Sequence, residues 1–347
     1  MAPRFSIGTR EIGPEFPPLV IPEIGINHGG NLSVAKAMVE AAWRAGAELV
    51  KHQTHAITDE MSDAAKKVLP GNADISIYDV ISNAALSEDD EFEMKTYAES
   101  LGLIFLSTPF SRSAVDRLER MGVEAYKVGS GECNNIPLLK YIASKGKPMI
   151  LSTGMNDLAS VRASVAAISA YGVPLALLHT TNIYPTPFHL VRLGAMEELR
   201  DTFPNLVVGL SDHTTSNHAC LAATALGASI LERHFVDTKT RVGPDVSCSM
   251  DPTELSQLIE GSALIAQMRG GRKVAAAEEA PTIRFAFATL VALEDIAPGQ
   301  PFSEKNVAPM RPGTGEIPAA ELERVCGCRA TAHIPKGAHL ARTDVTW

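Results

Sequence analysis

Short apolar runs recur eight times between residues 19 and 236, and each ends in a small group of charged, hydroxyl, amide or imidazole side chains. The runs cover residues 19–26, 48–54, 103–110, 125–131, 148–155, 175–182, 206–213 and 229–236. Between them lie stretches of helical periodicity, among them 33–46, 111–121, 216–227 and 251–268. Alternating strand and helix calls for a parallel sheet. Eight repeats over roughly 250 residues predict that the sheet closes on itself, giving an α/β fold of the (β/α)8 (TIM) barrel type.

In such a barrel the strand ends and loops at the carboxyl face carry the chemistry, and the opposite face carries stability. The polar run ends are Glu23, Asn27 and His28; Lys51 and Gln53; Thr108; Lys127 and Ser130; Ser152; Asn182 and Tyr184; Ser211 and His213; and His234. The pattern therefore gathers two cations, five small neutral donors, a carboxylate and three histidines at one mouth. Lys51 and Lys127 could hold a small anion there, helped by Thr108, Ser130, Ser152, Asn182 and Ser211. His213 and His234 close the seventh and eighth runs, which are neighbours in a barrel, so their imidazoles could share one metal ion while leaving positions for water and substrate. His28, His52 and His55 also stand near run ends and compete for that role. Glu23, Glu132 and Asp245 are carboxylates that could accept protons or orient water.

Composition narrows the class. The 347 residues are 45% hydrophobic and 20% charged, the balance of a globular chain large enough for one big domain and one small one. No apolar run reaches the roughly 18 residues of a membrane span. Residues 1–13 lack the apolar core of a secretory signal, so a cytoplasmic protein is the expectation. A net charge of -9 argues against general nucleic-acid binding. The five cysteines, Cys133, Cys220, Cys248, Cys326 and Cys328, make no even framework and read as reduced thiols. No glycine-rich nucleotide loop of the G-x-x-x-x-G-K type occurs.

The barrel pattern spans residues 1–268. Residues 269–281, Arg-Gly-Gly-Arg-Lys-Val-Ala-Ala-Ala-Glu-Glu-Ala-Pro, show neither helix caps nor strand alternation and read as a linker. Fully extended, they could reach about 45 Å. Residues 282–347 are punctuated by Pro and Gly and carry a weak repeat: 295–307 aligns without gaps on 333–345, matching Ile296 with Ile334, Gly299 with Gly337, Phe302 with Leu340 and Val307 with Val345. Two copies predict a small, pseudo-symmetric β-rich module.

The segments Glu23-Ile-Gly-Ile-Asn-His28, Lys51-His-Gln-Thr54, Lys127-Val-Gly-Ser-Gly-Glu-Cys-Asn-Asn135, Ser152-Thr-Gly-Met155, Thr181-Asn-Ile-Tyr-Pro-Thr-Pro187, Gly209-Leu-Ser-Asp-His-Thr214, Glu232-Arg-His-Phe235 and Gly243-Pro-Asp245 closely resemble those of bacterial sialic acid (N-acetylneuraminate) synthases. In that family a barrel is joined to a carboxyl-terminal antifreeze-like (SAF) domain, and Phe285-Ala-Phe-Ala288 and Arg311-Pro-Gly-Thr-Gly315 extend the resemblance into the tail.

The resemblance implies condensation of phosphoenolpyruvate with open-chain N-acetylmannosamine, giving N-acetylneuraminate and phosphate. It places phosphoenolpyruvate on Lys51, Thr108, Lys127, Ser130, Ser152, Asn182 and Ser211. A divalent metal, Mn2+ with Mg2+ or Co2+ as substitutes, falls to His213 and His234, which leaves the other histidines as supporting hydrogen-bonders. Gln53, Asn72, Tyr184 and Asp245 would contact the sugar, with Glu132 among the carboxylates available to its hydroxyls, and Glu23 would lie close to the reacting centre. Asn72 falls in the long segment 57–86, which reads as a substrate-covering loop. Arg311 matches an arginine that reaches the other subunit's site, so a domain-swapped homodimer is implied.

Legionaminate and pseudaminate synthases share almost all these motifs, so a diacetamido hexose is the alternative acceptor. A carbohydrate- or ice-binding protein would have no need of paired lysines and histidines at strand ends. A metal-dependent hydrolase on the same barrel would work without phosphoenolpyruvate.

Overall fold

The computed structural model describes residues 2–71 and 73–347. The chain divides into two compact units, Met1–Arg269 and Gly270–Trp347. The first opens with a hairpin, β1 (Phe5–Ile7) antiparallel to β2 (Arg10–Ile12). A closed barrel of parallel strands follows: β3 (Leu19–Gly25), β4 (Leu49–Thr54), β5 (Ile104–Pro109), β6 (Tyr126–Val128), β7 (Met149–Ser152), β8 (Leu175–Thr180), β9 (Val207–Asp212) and β10 (Ile230–His234), with β10 returning to pair with β3. Each of the eight apolar runs supplies one strand, shortened where its polar end turns into a loop. The run 125–131 is the clearest case, since Ser130–Glu132 winds into a single 3-10 turn after only three strand residues.

The helices begin and end where local chemistry requires. Ser111 caps the helix Arg112–Met121 by accepting from the Ala114 amide, and Gly122 closes it at φ 72°. Asp251 and Glu254 form a reciprocal capping box at the start of Pro252–Met268. The outer core packs these helices on the barrel through residues such as Met38, Leu118, Leu139, Leu199 and Leu258.

Inside the barrel a second apolar cluster joins Leu19, Ile21, Leu49, Leu106, Ile150, Leu178 and Ile230 to Ile7 and Ile12 of the hairpin. Side chains alternate along a strand, so the next inward positions towards the carboxyl face are Glu23, Lys51, Thr108, Ser152 and Glu232. A polar layer thus rests directly on an apolar one whose far end is closed by β1 and β2.

The second unit contains the helix Ala280–Ala286 and an antiparallel pair, β11 (Thr289–Ala292) and β12 (Val307–Met310). The helix begins inside the stretch read as an unstructured linker, after a 3-10 turn at Ala277–Glu279. The repeat is physical: Ile296 and Ile334 bridge one another, and Gly299 and Gly337 take the same left-handed conformation, φ 79° and 83°. Phe302, Leu340, Val307 and Val345 meet in one core, the packing that a pseudo-twofold module requires. Among the described residues no helix is long and apolar enough to cross a membrane.

Candidate active site

At the carboxyl end of the barrel a cavity of about 410 Å³ is lined by Glu23, Lys51, Gln53, Thr108, Lys127, Ser130, Ser152, Asn182, Tyr184, Ser211, His213, His234 and Asp245, the strand-end residues singled out by the sequence, together with Glu232. They come from every strand of the barrel or the loop that follows it.

Its floor is an alternating set of charges. Lys51 Nζ donates to Glu23 Oε1 at 2.5 Å and stands 3.6 Å from Glu232 Oε1. Lys127 Nζ lies 3.5 Å from Glu232 Oε2 and donates to Ser152 Oγ at 2.8 Å. All four ionic groups are buried, so each depends on its neighbours rather than on water. Burial alone would raise the Glu23 pKa, but Lys51, His234 and Lys127 together hold it well below the ordinary glutamate value. Burial wins at Glu232, whose pKa is raised despite Lys127 and Lys51. Burial also lowers Lys127, against the pull of Glu232, whereas Lys51 ends raised because Glu23 and Glu232 outweigh its desolvation.

Hydroxyl and amide side chains surround this floor. Thr108 Oγ1, Asn182 Oδ1 and Glu232 Oε2 are buried with no hydrogen-bond partner, an arrangement that a polar ligand would complete. Ser130 Oγ accepts from the Gly154 amide at 3.0 Å, and Asn182 Nδ2 donates to the Tyr184 hydroxyl at 3.2 Å. A Cβ at Gly154 would fall 1.8 Å from Asn182 Oδ1 and 2.9 Å from Ser130 Oγ, so any side chain there displaces those groups.

Opposite the lysines stand the two histidines, ring centroids 5.4 Å apart, with the Tyr184 ring centroid 4.2 Å from that of His213 and tilted 35° to it. The Thr181 carbonyl accepts from His213 Nδ1 at 3.0 Å, which leaves the Nε2 lone pair free, and burial together with His234 pushes the His213 pKa down to about 3. His234 Nδ1 is buried without a hydrogen-bond partner. Glu23 Oε2 lies 3.9 Å from His234 Nε2 and Asp245 Oδ2 lies 3.8 Å from Nδ1. Two buried imidazoles, one with its Nε2 lone pair freed by a backbone acceptor at Nδ1 and one whose Nδ1 has no hydrogen-bond partner, fit a divalent cation that completes its shell with water or substrate. A full set of three His, Cys or acidic ligands does not occur among the described residues.

The remaining candidates fall elsewhere. Glu132 is outside the cavity: it sits on the 3-10 turn after β6, and its Oε2 accepts from Asn135 Nδ2 at 2.6 Å. Asn72 lies outside the described residues. Arg311 belongs to the second unit, where it is exposed just beyond β12. His28 and His52 pair at 3.2 Å without lining the cavity, whereas His55 lines it and bonds Glu60 at 2.8 Å. Glu232 had a signal in the sequence, since it lies two residues before His234 and must share its face of β10. Ile26, Met61, Pro70, Ile77, Val80 and Ile81 also escaped that reading and form an apolar wall on one side of the cavity.

Comparison with known proteins agrees with this geometry. A model described as the NeuB family matches residues 38–274. The chain is 39% identical to the N,N'-diacetyllegionaminic acid synthase of Campylobacter jejuni over 90% of its own length and 96% of that protein's. It is 33% identical to the human N-acetylneuraminate-9-phosphate synthase over 75% and 74% of the two chains. The crystal structure of the N-acetylneuraminic acid synthetase from Leptospira borgpetersenii, in complex with citrate, superposes with a TM-score of 0.75 at 27% identity, covering 82% of this chain and 96% of that one.

Proposed function

Because the chain belongs to the NeuB family, we propose that it joins phosphoenolpyruvate to the open-chain form of an acetamido hexose, releasing inorganic phosphate and a nine-carbon 2-keto acid. The observation that carries this reading is the pairing, within one cavity, of a two-lysine floor ringed by hydroxyl and amide side chains with two buried histidines opposite. The first half suits a small molecule bearing phosphate and carboxylate, and the second suits a carbonyl to be polarised.

In this reading Lys51 and Lys127, with Thr108, Ser130, Ser152, Asn182 and Ser211, bind phosphoenolpyruvate. His213 and His234 would hold the divalent cation, Mn2+ with Mg2+ or Co2+ as substitutes. When bound, that cation supplies Lewis-acid polarisation of the sugar carbonyl. The enol carbon C3 of phosphoenolpyruvate forms the new bond to the sugar C1, water adds at C2, and cleavage of the C2–O bond frees phosphate. Glu23 and Asp245 flank His234 and are placed to accept the water proton and the hydrogen bonds of sugar hydroxyls. Gln53 and Tyr184 orient the acceptor, Asn72 contributes from the covering loop, and Arg311 is supplied by a second subunit in a domain-swapped dimer.

The motif resemblance makes N-acetylmannosamine the first acceptor to consider, with N-acetylneuraminate as product. The apolar wall favours a second reading. Ile26, Met61, Pro70, Ile77, Val80 and Ile81 suit methyl groups better than hydroxyls. A 2,4-diacetamido-2,4,6-trideoxy hexose presents two more methyls than N-acetylmannosamine does, each gaining on the order of 1 kcal/mol from burial. A phosphorylated sugar is disfavoured, because Lys51 and Lys127 are the lysines or arginines among the described lining residues and this reading already assigns both to phosphoenolpyruvate, which leaves no second cationic pocket.

The test is phosphate release from phosphoenolpyruvate with Mn2+ and each of three acceptors: N-acetylmannosamine, the diacetamido-trideoxy hexose and a hexosamine 6-phosphate. Turnover with either unphosphorylated sugar, with the nine-carbon acid identified by mass, supports the reading and ranks the acceptors. Phosphate release that is independent of any aldehyde, or no release at all, overturns it.

A further inference from the structure

Behind the barrel wall, on the side away from the cavity, lies a buried ion pair whose two members each adjoin a histidine of the site. Asp212 and Arg233 face one another in register on β9 and β10, with Arg233 Nε 3.2 Å from Asp212 Oδ2 and both side chains essentially inaccessible. The next residues are His213 and His234. Strand alternation sends Asp212 and Arg233 outward and the imidazoles inward, so the ion pair and the histidine pair are two faces of the same stretch of backbone.

The guanidinium does more than neutralise Asp212. Arg233 Nη1 donates to Asn217 Oδ1 at 2.7 Å, and Nη2 donates to the Thr214 carbonyl at 2.7 Å and, more weakly, to the Cys248 carbonyl at 3.4 Å. Asn217 in turn donates to the Glu254 carbonyl at 2.8 Å. Asp212 returns the grip by accepting from the Thr214 amide at 3.0 Å and its hydroxyl at 2.8 Å. The residues on both sides of His213 are therefore held by one network. The same network reaches the turn Val246–Cys248, directly after Asp245.

We infer that Arg233, buttressed by Asp212, is a positioning residue that holds His213, His234 and the Asp245 turn in the mutual arrangement a divalent cation needs. The inference rests on the metal-binding reading of the two histidines. Two segments, 212–217 after β9 and the turn at Cys248, meet on a single planar fork, which a lysine could not reproduce with one ammonium group. Burying a guanidinium is expensive unless its donors find acceptors; here Nη1 and Nη2 find Asn217 Oδ1 and the carbonyls of Thr214 and Cys248, while Nε has the ion-pair approach of Asp212 alone. Nothing in the barrel core demands a cation at this position, since neighbouring outward residues such as Leu210 and Leu231 pack as plain hydrocarbon. Support of this kind around metal ligands sets their affinity by about ten- to hundredfold.

The experiment compares wild type with Arg233→Lys, Arg233→Met and Asp212→Asn in the full-length chain, using Arg117→Met as the matched control. Arg117 belongs to another buried ion pair, with Glu91 at 3.1 Å, that touches none of the site residues. Mn2+ binding is measured by electron paramagnetic resonance on protein shown by circular dichroism to be folded, and kcat and KM for phosphoenolpyruvate are measured separately. The expected result is a loss of Mn2+ affinity of about tenfold or more in Arg233→Lys and Asp212→Asn, an altered manganese line shape, and a fall in kcat larger than any rise in KM. Arg117→Met should lose stability and keep its metal affinity. Wild-type Mn2+ affinity in folded Arg233→Lys and Asp212→Asn would overturn the inference and leave the metal reading standing. Absence of Mn2+ binding by wild type itself would instead remove the metal reading and this inference with it.

Discussion

Glu23 and Lys51 occupy paired register positions on β3 and β4, and their side chains meet at 2.5 Å beneath the cavity. The pair exists before any ligand arrives, so the cation proposed to meet phosphate is already committed to a carboxylate. Removing one partner leaves a buried charge without its main counter-ion, which typically costs 3–5 kcal/mol. Lys51→Met should therefore lower the unfolding midpoint sharply, and Glu23→Gln with Lys51→Met should regain much of that loss. Neither variant should release phosphate at more than about 1% of the wild-type rate. Thermal melts and phosphate assays on the three proteins check both halves.

Chelation makes a second test. Protein stripped of divalent ions should lose turnover, and added Mn2+ should restore it. His213→Ala should stay folded, because His213 makes one side-chain hydrogen bond, to the Thr181 carbonyl, and should fail to recover at any Mn2+ concentration. Full activity in the stripped His213→Ala, His234→Ala protein would falsify the metal reading.

Gly154 offers a steric probe that changes no charge. In Gly154→Ala the new methyl collides with Asn182 Oδ1 and crowds Ser130 Oγ. The expected outcome is a KM for phosphoenolpyruvate raised about tenfold or more, with a smaller change in stability. Unchanged KM would show that neither Asn182 nor Ser130 contributes to the anion site.

The buried acid Glu91 predicts a pH dependence of stability unrelated to catalysis. Its Oε1 accepts from Arg117 and its Oε2 is unsatisfied, and burial outweighs Arg117 to push its pKa up to about 8. An acid whose pKa rises on folding holds its proton more tightly in the folded chain, so this group costs nothing below the ordinary glutamate range. The cost grows as pH climbs from about 4.5 to about 8 and is constant above. Urea-unfolding midpoints should decline across that window in wild type and decline less in Glu91→Gln.

Subunit exchange tests the role proposed for Arg311. Mixing Arg311→Ala with His213→Ala subunits should regenerate one intact site per mixed dimer and recover activity that neither parent has. No gain on mixing, with dimer exchange demonstrated independently, would mean that each site is built from one chain.

The barrel was legible because each strand is an apolar run whose polar end breaks the pattern, and β3 to β10 begin within a residue or two of those runs. The hairpin β1–β2 was not, since three-residue strands with one buried side chain each carry no periodicity. At the site, parity along a strand decided what could be read. Lys51, Gln53 and His234 fall on inward positions, whereas Glu132 lies past the end of β6, where alternation stops and Asn135 claims its carboxylate. Glu232 and Arg233 stood beside a recognised histidine, but their roles depend on partners from β4, β6 and β9 that no local pattern names. The apolar wall was hidden for a similar reason: Ile26 follows β3 while Met61, Pro70, Ile77, Val80 and Ile81 come from the long segment after β4, and no local pattern joins the two.

The hairpin has an electrostatic consequence. Ile7 and Ile12 pack against the apolar layer beneath Glu23, Lys51, Lys127 and Glu232, so buried hydrocarbon underlies those charges at the end away from the mouth. The field that the lysines exert on an arriving anion is consequently screened from above and scarcely at all from below. Two isoleucines near the amino terminus, in a hairpin that adds no residue to the cavity lining, thereby act as an insulator, and polar substitutions there should dull the site's grip on anions before they unfold the barrel.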